Sequence, residues 1–228
     1  MTNQNEQPIP GCKAMSKDGF WNLISEVKAA QGQEDYIDIL ITRLKELGPD
    51  HAQDFYDIVH VYQNLAYKFG LWSAASLIGY ISEDGFTNFR AWLISQGKEV
   101  YFAALKDPNA LADLDPGDGY WFELFTDAGD TALEDLTGER AYCHTDGATY
   151  EKMTEALKAD IEYGEGINYP YEWEELADYF PRWYERHLHS SEDVSYVGCW
   201  NYKNPAVAEA RQAGPPPKPQ NNMEMGGM

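Results

Sequence analysis

The chain has 228 residues, 43% of them hydrophobic and 14% aromatic: enough apolar surface for one domain with a sizeable core, and too much for a disordered polymer. Its formal charge is −21, a field that repels nucleic acid and anionic membrane and speeds encounter with basic proteins. No apolar run reaches the roughly 18 residues of a membrane span, and the N-terminal stretch lacks a charged-then-apolar layout, so neither a membrane segment nor a secretory leader is expected.

Apolar residues recur at i, i+3, i+4 and i+7 through most of the chain, which predicts helices. Phe20, Leu23, Ile24 and Val27 form a first stripe. Ile37, Leu40, Ile41, Leu44 and Leu47 form a second, closed by Gly48-Pro49. Phe55, Ile58, Val59, Tyr62, Ala66 and Phe69 make a third that is expected to end at Gly70, and Leu71, Ala74, Ala75 and Ile78 make a fourth stopped by Gly79. Ser82 is the expected N-cap of the next helix, with Glu83 and Asp84 suited to the positive end of its dipole. Gln96-Gly97 bends or breaks that helix before Val100, Tyr101, Ala104 and Leu105. Asp107-Pro108 opens a short turn, and Trp121, Leu124, Phe125, Ala128 and Ala132 predict a helix ending near Gly138.

Beyond it, Met153, Ala156, Leu157 and Ile161 form a weaker stripe, and residues 162–170 read as a Gly- and Tyr-rich loop. Trp173, Leu176 and Ala177 resume a helix, and Pro181 opens another with Trp183, Tyr184 and Leu188. No period-two run is long enough for a sheet, although Tyr196 to Trp200 suits a minor extended piece. The predicted fold is all-α: a compact multi-helix domain over residues 16–190, followed by a Pro-rich tail over 204–228 that is expected to be disordered.

Phe20-Trp21 with Leu23-Ile24, the Leu71-Trp72 segment, Ser82-Glu83-Asp84-Gly85-Phe86, Phe89-Arg90-Ala91-Trp92-Leu93-Ile94 with Gln96-Gly97, and Ala104-Leu105-Lys106-Asp107-Pro108 followed by Leu111-Ala112 are similar to successive blocks of a bacterial family, domain of unknown function 4240. Tyr179-Phe180-Pro181-Arg182-Trp183 resembles its closing motif. The resemblance spans roughly residues 16–188 and implies a compact helical domain of bacterial type. Glu83 stands where the family often has Asp, and Ala91 where it often has Gly. Residues 139–170 match less well and are read as an insertion. The resemblance supplies no catalytic residue, cofactor or substrate.

Among candidate functional residues Arg90 stands first, because it shares a helix face with Phe86, Phe89 and Leu93. A guanidinium keeps its charge at neutral pH, so a buried one needs a carboxylate, a group of carbonyls or an anionic ligand. Glu83, two turns earlier on the same face, is the nearest carboxylate candidate, and structural pairing is the expected role. Ser82 and Asp84, at a helix N-terminus where anions bind readily, and Trp72, with its large rigid surface, complete a candidate binding site with Arg90. Capping and core packing are their plainer roles. Trp92, Trp121, Trp173 and Trp183 are further candidates for cleft lining, again with packing as the default.

The run from Asp113 to Gly119 suggests a calcium loop but fails its register: Asp118 falls where glycine is required and Leu124 where the closing glutamate belongs. His187 and His189 sit on different faces of a helix, and Cys143-His144 is one adjacent pair, so no metal site is expected. Neither is a cofactor: there is no nucleophile elbow and no glycine-rich phosphate loop. Cys12, Cys143 and Cys199 make no disulfide framework, which suits a reduced, cytoplasmic setting.

Charge is uneven. Residues 107–178 hold 20 acids and 3 bases, whereas residues 1–106 hold 13 and 9. Solubility is the plain reading of this asymmetry. The functional reading is a non-catalytic binding protein whose acidic half faces a basic partner protein, as an immunity or inhibitor protein faces a nuclease. The alternative is a small-ligand protein or enzyme with an anionic substrate near Arg90. Mimicry of nucleic acid by ordered carboxylates is a third.

Overall fold

The computed structural model describes residues 6–30, 33–76, 82–112, 114, 122–168, 176–182 and 185. Among them the chain is all-α, and the one β-type pairing is an isolated antiparallel bridge between Pro8 and Ser16. The expected disordered tail, the Asp113–Gly119 turn apart from Leu114, the 196–200 piece, and Trp121, Trp173, Trp183, His187 and His189 lie outside the described residues. No helix among the described residues is long and apolar enough to cross a membrane.

Helix α1 (Lys17–Ala29) starts where the Ser16 hydroxyl accepts from the Gly19 N–H at 3.0 Å, and it buries Phe20, Trp21, Leu23, Ile24 and Val27. Helix α2 (Gln33–Leu47) runs to Gly48, whose φ of +95° turns the chain into Pro49, the first residue of α3 (Pro49–Leu65). That positive φ is open to glycine, and proline's fixed φ with no N–H suits a first helical turn. Helix α3 is the central rod. It packs against α2, α5 (Glu83–Ser95), α7 (Phe122–Thr137) and α8 (Gly147–Lys158). Phe55, Ile58, Val59 and Tyr62 are all buried along it.

Helices α3 and α7 cross at close range. A Cβ placed on Gly129 would stand 2.6 Å from the Ala52 carbonyl oxygen and 2.8 Å from the Tyr56 nitrogen, so the two backbones approach across a missing side chain. Helix α4 (Phe69–Ser76) and helix α6 (Lys98–Lys106) complete the bundle, a 3-10 turn at Pro108–Leu111 packs against both, and a short α9 spans Leu176–Tyr179. One continuous buried cluster runs from Ile9 to Phe180. Residues 139–170, expected as an insertion, supply Met153, Leu157 and Ile167 to it.

The ends of several stripes differ from expectation. The third helix stops at Leu65, not at Gly70; the chain turns through Ala66–Lys68, and Gly70 lies inside α4, where its free first-turn N–H donates to the Ile167 carbonyl at 2.9 Å. Leu47, Phe69 and Leu124 continue the apolar period but are 48%, 47% and 55% exposed. Each stands at a helix end.

Candidate functional site

At the start of α5 the Ser82 hydroxyl accepts from the Gly85 N–H at 2.9 Å, and Glu83 and Asp84 lie exposed in the first turn. This is an N-cap, and the two carboxylates already occupy the positive end of the dipole. Two turns on, Arg90 is 5% exposed.

The end of α3 explains how this cation is held. The last carbonyls of a helix lack intrahelical partners and carry the negative end of its dipole. Here each finds a donor. Tyr62 O accepts from Ala66 N at 3.0 Å and from the Tyr101 hydroxyl at 2.7 Å, Asn64 O from Tyr67 N at 3.1 Å, and Leu65 O from the Tyr163 hydroxyl at 3.0 Å. Gln63 O takes Nη1 of Arg90 at 2.8 Å.

The other guanidinium bonds stay on α5. Nε donates to Phe86 O at 3.2 Å, and Nη2 donates to the Thr87 hydroxyl at 2.8 Å. The Thr87 hydroxyl itself donates to Glu83 O at 3.0 Å. The guanidinium carbon stands 4.8 Å from the ring centroids of both Tyr67 and Phe86. Among the described residues no carboxylate pairs with Arg90; the expected Glu83 acts only through space, with Tyr67 and Tyr101, against the lowering of the arginine pKa by burial. Carbonyls, a helix dipole and two ring faces take the place of a counter-ion.

Trp72 belongs to the same assembly. Its ring stacks on Phe86 at 5.0 Å and 5°, and meets Tyr67 edge-on at 5.8 Å. The structure therefore brings Trp72 and Arg90 together on Phe86, while Ser82 and Asp84 remain at the exposed helix start. Trp92 is 3% exposed and packs against Phe89.

Three buried carboxylates escaped sequence reading. Asp54, 2% exposed, accepts backbone N–H bonds from Lys13, Ala14 and Met15 at 3.0, 2.7 and 2.8 Å, and so ties the N-terminal segment to α3. Asp57 accepts from Gln53 Nε2 at 2.9 Å and from the Thr145 hydroxyl at 2.6 Å. Asp130 accepts from Ala141 N at 2.6 Å and holds Arg140. The signal was present at Asp54, which lies one turn before Ile58 on an apolar face. Cys12 lies near this group: burial first, then Asp54 and Asp57, push its thiol pKa far up, so it stays protonated and poorly nucleophilic. His144 pairs with Glu139 at 2.8 Å. No group of three metal-ligating side chains occurs among the described residues.

A separate open cleft of about 450 Å³ lies along α6, lined by Lys98, Phe102, Lys106, Asp160 and Glu162 among others. Its opposite charges are joined by the 2.8 Å Lys106–Glu162 ion pair, and Asp160 is taken by Lys17 at 2.6 Å.

Residues 15–143 match the model of a family described as "Protein of unknown function (DUF4240)". No curated protein and no solved structure matches the chain.

Proposed function

The chain belongs to that family, whose description assigns no activity, and from its charge and surface we propose that it is an acidic helical binding protein, without catalysis of its own, that engages a basic partner protein. The observation that carries this reading is how the acids are divided. Asp54, Asp57 and Asp130 point inward and are satisfied by internal donors. Asp127, Glu134, Asp135, Glu139, Glu151 and Glu155 are exposed on α7, the turn after it and α8, within the segment of 20 acids and 3 bases. The exposed bases Arg140, Lys152 and Lys158 on the same elements are outnumbered, and a surface with this excess of acids steers an oppositely charged partner. Cys12 and Cys143 are free thiols, which suits a reducing, cytoplasmic setting.

Capture from an extract of the source cell at low and high salt tests the reading, with Asp127→Asn/Glu151→Gln/Glu155→Gln as the comparison. A basic protein should be retained at low salt, released as ionic strength rises, and lost from the triple variant. Retention of proteins that are neither basic nor salt-sensitive would overturn it.

The alternative, an anionic small molecule or substrate at Arg90, draws support from arithmetic. A guanidinium has five N–H groups, and acceptors among the described residues take three. Against it, the side chain is closed off by Tyr67 and Phe86.

A further inference from the structure

Three aromatic rings meet in the turn before α4 and on its first residues. The ring centroids of Tyr67, Phe69 and Trp72 form a triangle with sides of 6.4, 6.5 and 5.8 Å, so the patch is contiguous by ring contact. Phe69 and Trp72 lie within 6° of parallel, and Trp72 carries the stack inward onto Phe86. The inner end is sealed, since Phe86 is buried and the Arg90 guanidinium lies against Tyr67. The outer end is open: Tyr67 and Phe69 are 37% and 47% exposed. Glu83, one turn before Phe86, is also exposed, and it forms no ion pair among the described residues.

Flat exposed rings with a carboxylate at their margin suit one ligand geometry. A polyproline II rod is rigid, so it loses little entropy on docking, and residues three apart share a face that packs on aromatic rings. This chain carries such a segment at Pro215-Pro216-Pro217-Lys218-Pro219, outside the described residues. In that conformation Pro216 and Pro219 share a face about 9 Å apart, and Lys218 beside them has the sign opposite to Glu83. An exposed pair of this kind adds little affinity and serves to set the direction of the rod.

The place where the described chain leaves the bundle favours this occupant. Asn109 belongs to the 3-10 turn packed against α4; its Nδ2 donates to the Tyr179 carbonyl at 2.8 Å, and its own carbonyl accepts from Nη1 of Arg182 at 3.3 Å. The residues between Glu185 and Pro215 can span up to about 100 Å, whereas α4 adjoins the exit and is about 12 Å long. A tethered segment also holds a millimolar effective concentration that a free one does not.

We propose that Pro215–Pro219 docks as a polyproline II segment on the Tyr67–Phe69–Trp72 platform of its own chain. The proposal goes beyond the acidic surface on α7 and α8 and does not depend on it.

The test uses the full chain and a fluorescent peptide of residues 211–222, with a counterpart of equal charge whose prolines are replaced by serine. Pro216→Ala/Pro219→Ala lies outside the described helices, so the melting temperature should hold. This double variant should bind the proline peptide about tenfold more tightly than the wild type, whose platform is held by the tethered competitor. Phe69→Leu, added to the double variant, keeps apolar bulk but removes the flat ring and should weaken binding about fivefold, the order of one aromatic contact. Leu124→Ser in the same background should change nothing, and the serine peptide should not distinguish any of these proteins. Equal affinity of the wild type and the double variant for the proline peptide, no binding to the double variant, or no effect of Phe69→Leu overturns the proposal. A wild-type dimer in sedimentation that the double variant lacks also overturns it, because the segment would then sit on a second copy.

Discussion

A guanidinium removed from water loses solvation worth several kcal/mol, and two outcomes are available: it finds a counter-ion, or fixed dipoles replace the water. Among the described residues Arg90 takes the second. A cation at a helix C-terminus gains up to about 2 kcal/mol in partly buried sites, a charge-assisted hydrogen bond about 1.5–3 kcal/mol, and a desolvated cation–π contact about 2 kcal/mol. Together these are enough to hold the charge at the end of α3 without a carboxylate. Arg90→Ala should therefore destabilise the fold by about 3 kcal/mol, losing bonds and packed stem together. Arg90→Lys keeps the charge near the dipole but not the planar fork, and should lose about half as much. Urea unfolding followed by circular dichroism measures both. A variant as stable as the wild type would contradict the capping role. The burial of Arg90 was legible, because Phe86, Phe89 and Leu93 share its face. Its acceptor was not, because Gln63 O belongs to the end of another helix and no spacing along α5 points to it.

At the scale of elements, the helices follow from apolar period and caps: Ser16 and Ser82 at N-termini, the Gly48-Pro49 corner, and the break at Gln96-Gly97, where Gly97 has φ +99°. What period alone misjudged were the ends. A stripe runs on as long as apolar residues recur, but burial also needs a neighbour, and Leu47, Phe69 and Leu124 stand where neighbours give out. The burial of Asp54 was signalled by its apolar face, but its donors were not, since they are the backbone N–H groups of Lys13, Ala14 and Met15, far away in the chain. Thr145 and Ala141 likewise reach Asp57 and Asp130 from outside their helices. Gly129 decides how close α3 and α7 lie. In an exposed helix interior glycine-to-alanine stabilises by about 1 kcal/mol, whereas forcing a methyl into a packed crossing costs about 1–3 kcal/mol. The obstacles at Gly129 are the backbone atoms of Ala52 and Tyr56, which cannot rotate aside. Gly129→Ala should therefore destabilise by about 1–2 kcal/mol, read as a lowered melting temperature; a raised one would show that the helices are not in close contact.

At the scale of the whole molecule, the described residues form an all-α bundle whose core draws on both halves of the chain, while Asp127, Glu134, Asp135, Glu139, Glu151 and Glu155 lie exposed in the later half. Fold class and charge asymmetry were both legible in composition and period. The exposure of Leu47 was not, because it closes a stripe that reads as core. The family places the chain without naming an activity, so the functional account stands on charge and surface.

The most direct test is the dissociation constant of the captured partner for the full chain, measured across a series of salt concentrations. The account predicts a steep linear weakening of affinity on logarithmic axes, with a shallower slope for Asp127→Asn/Glu151→Gln/Glu155→Gln. A dissociation constant that stays flat with salt, or slopes that coincide for the two proteins, would contradict it.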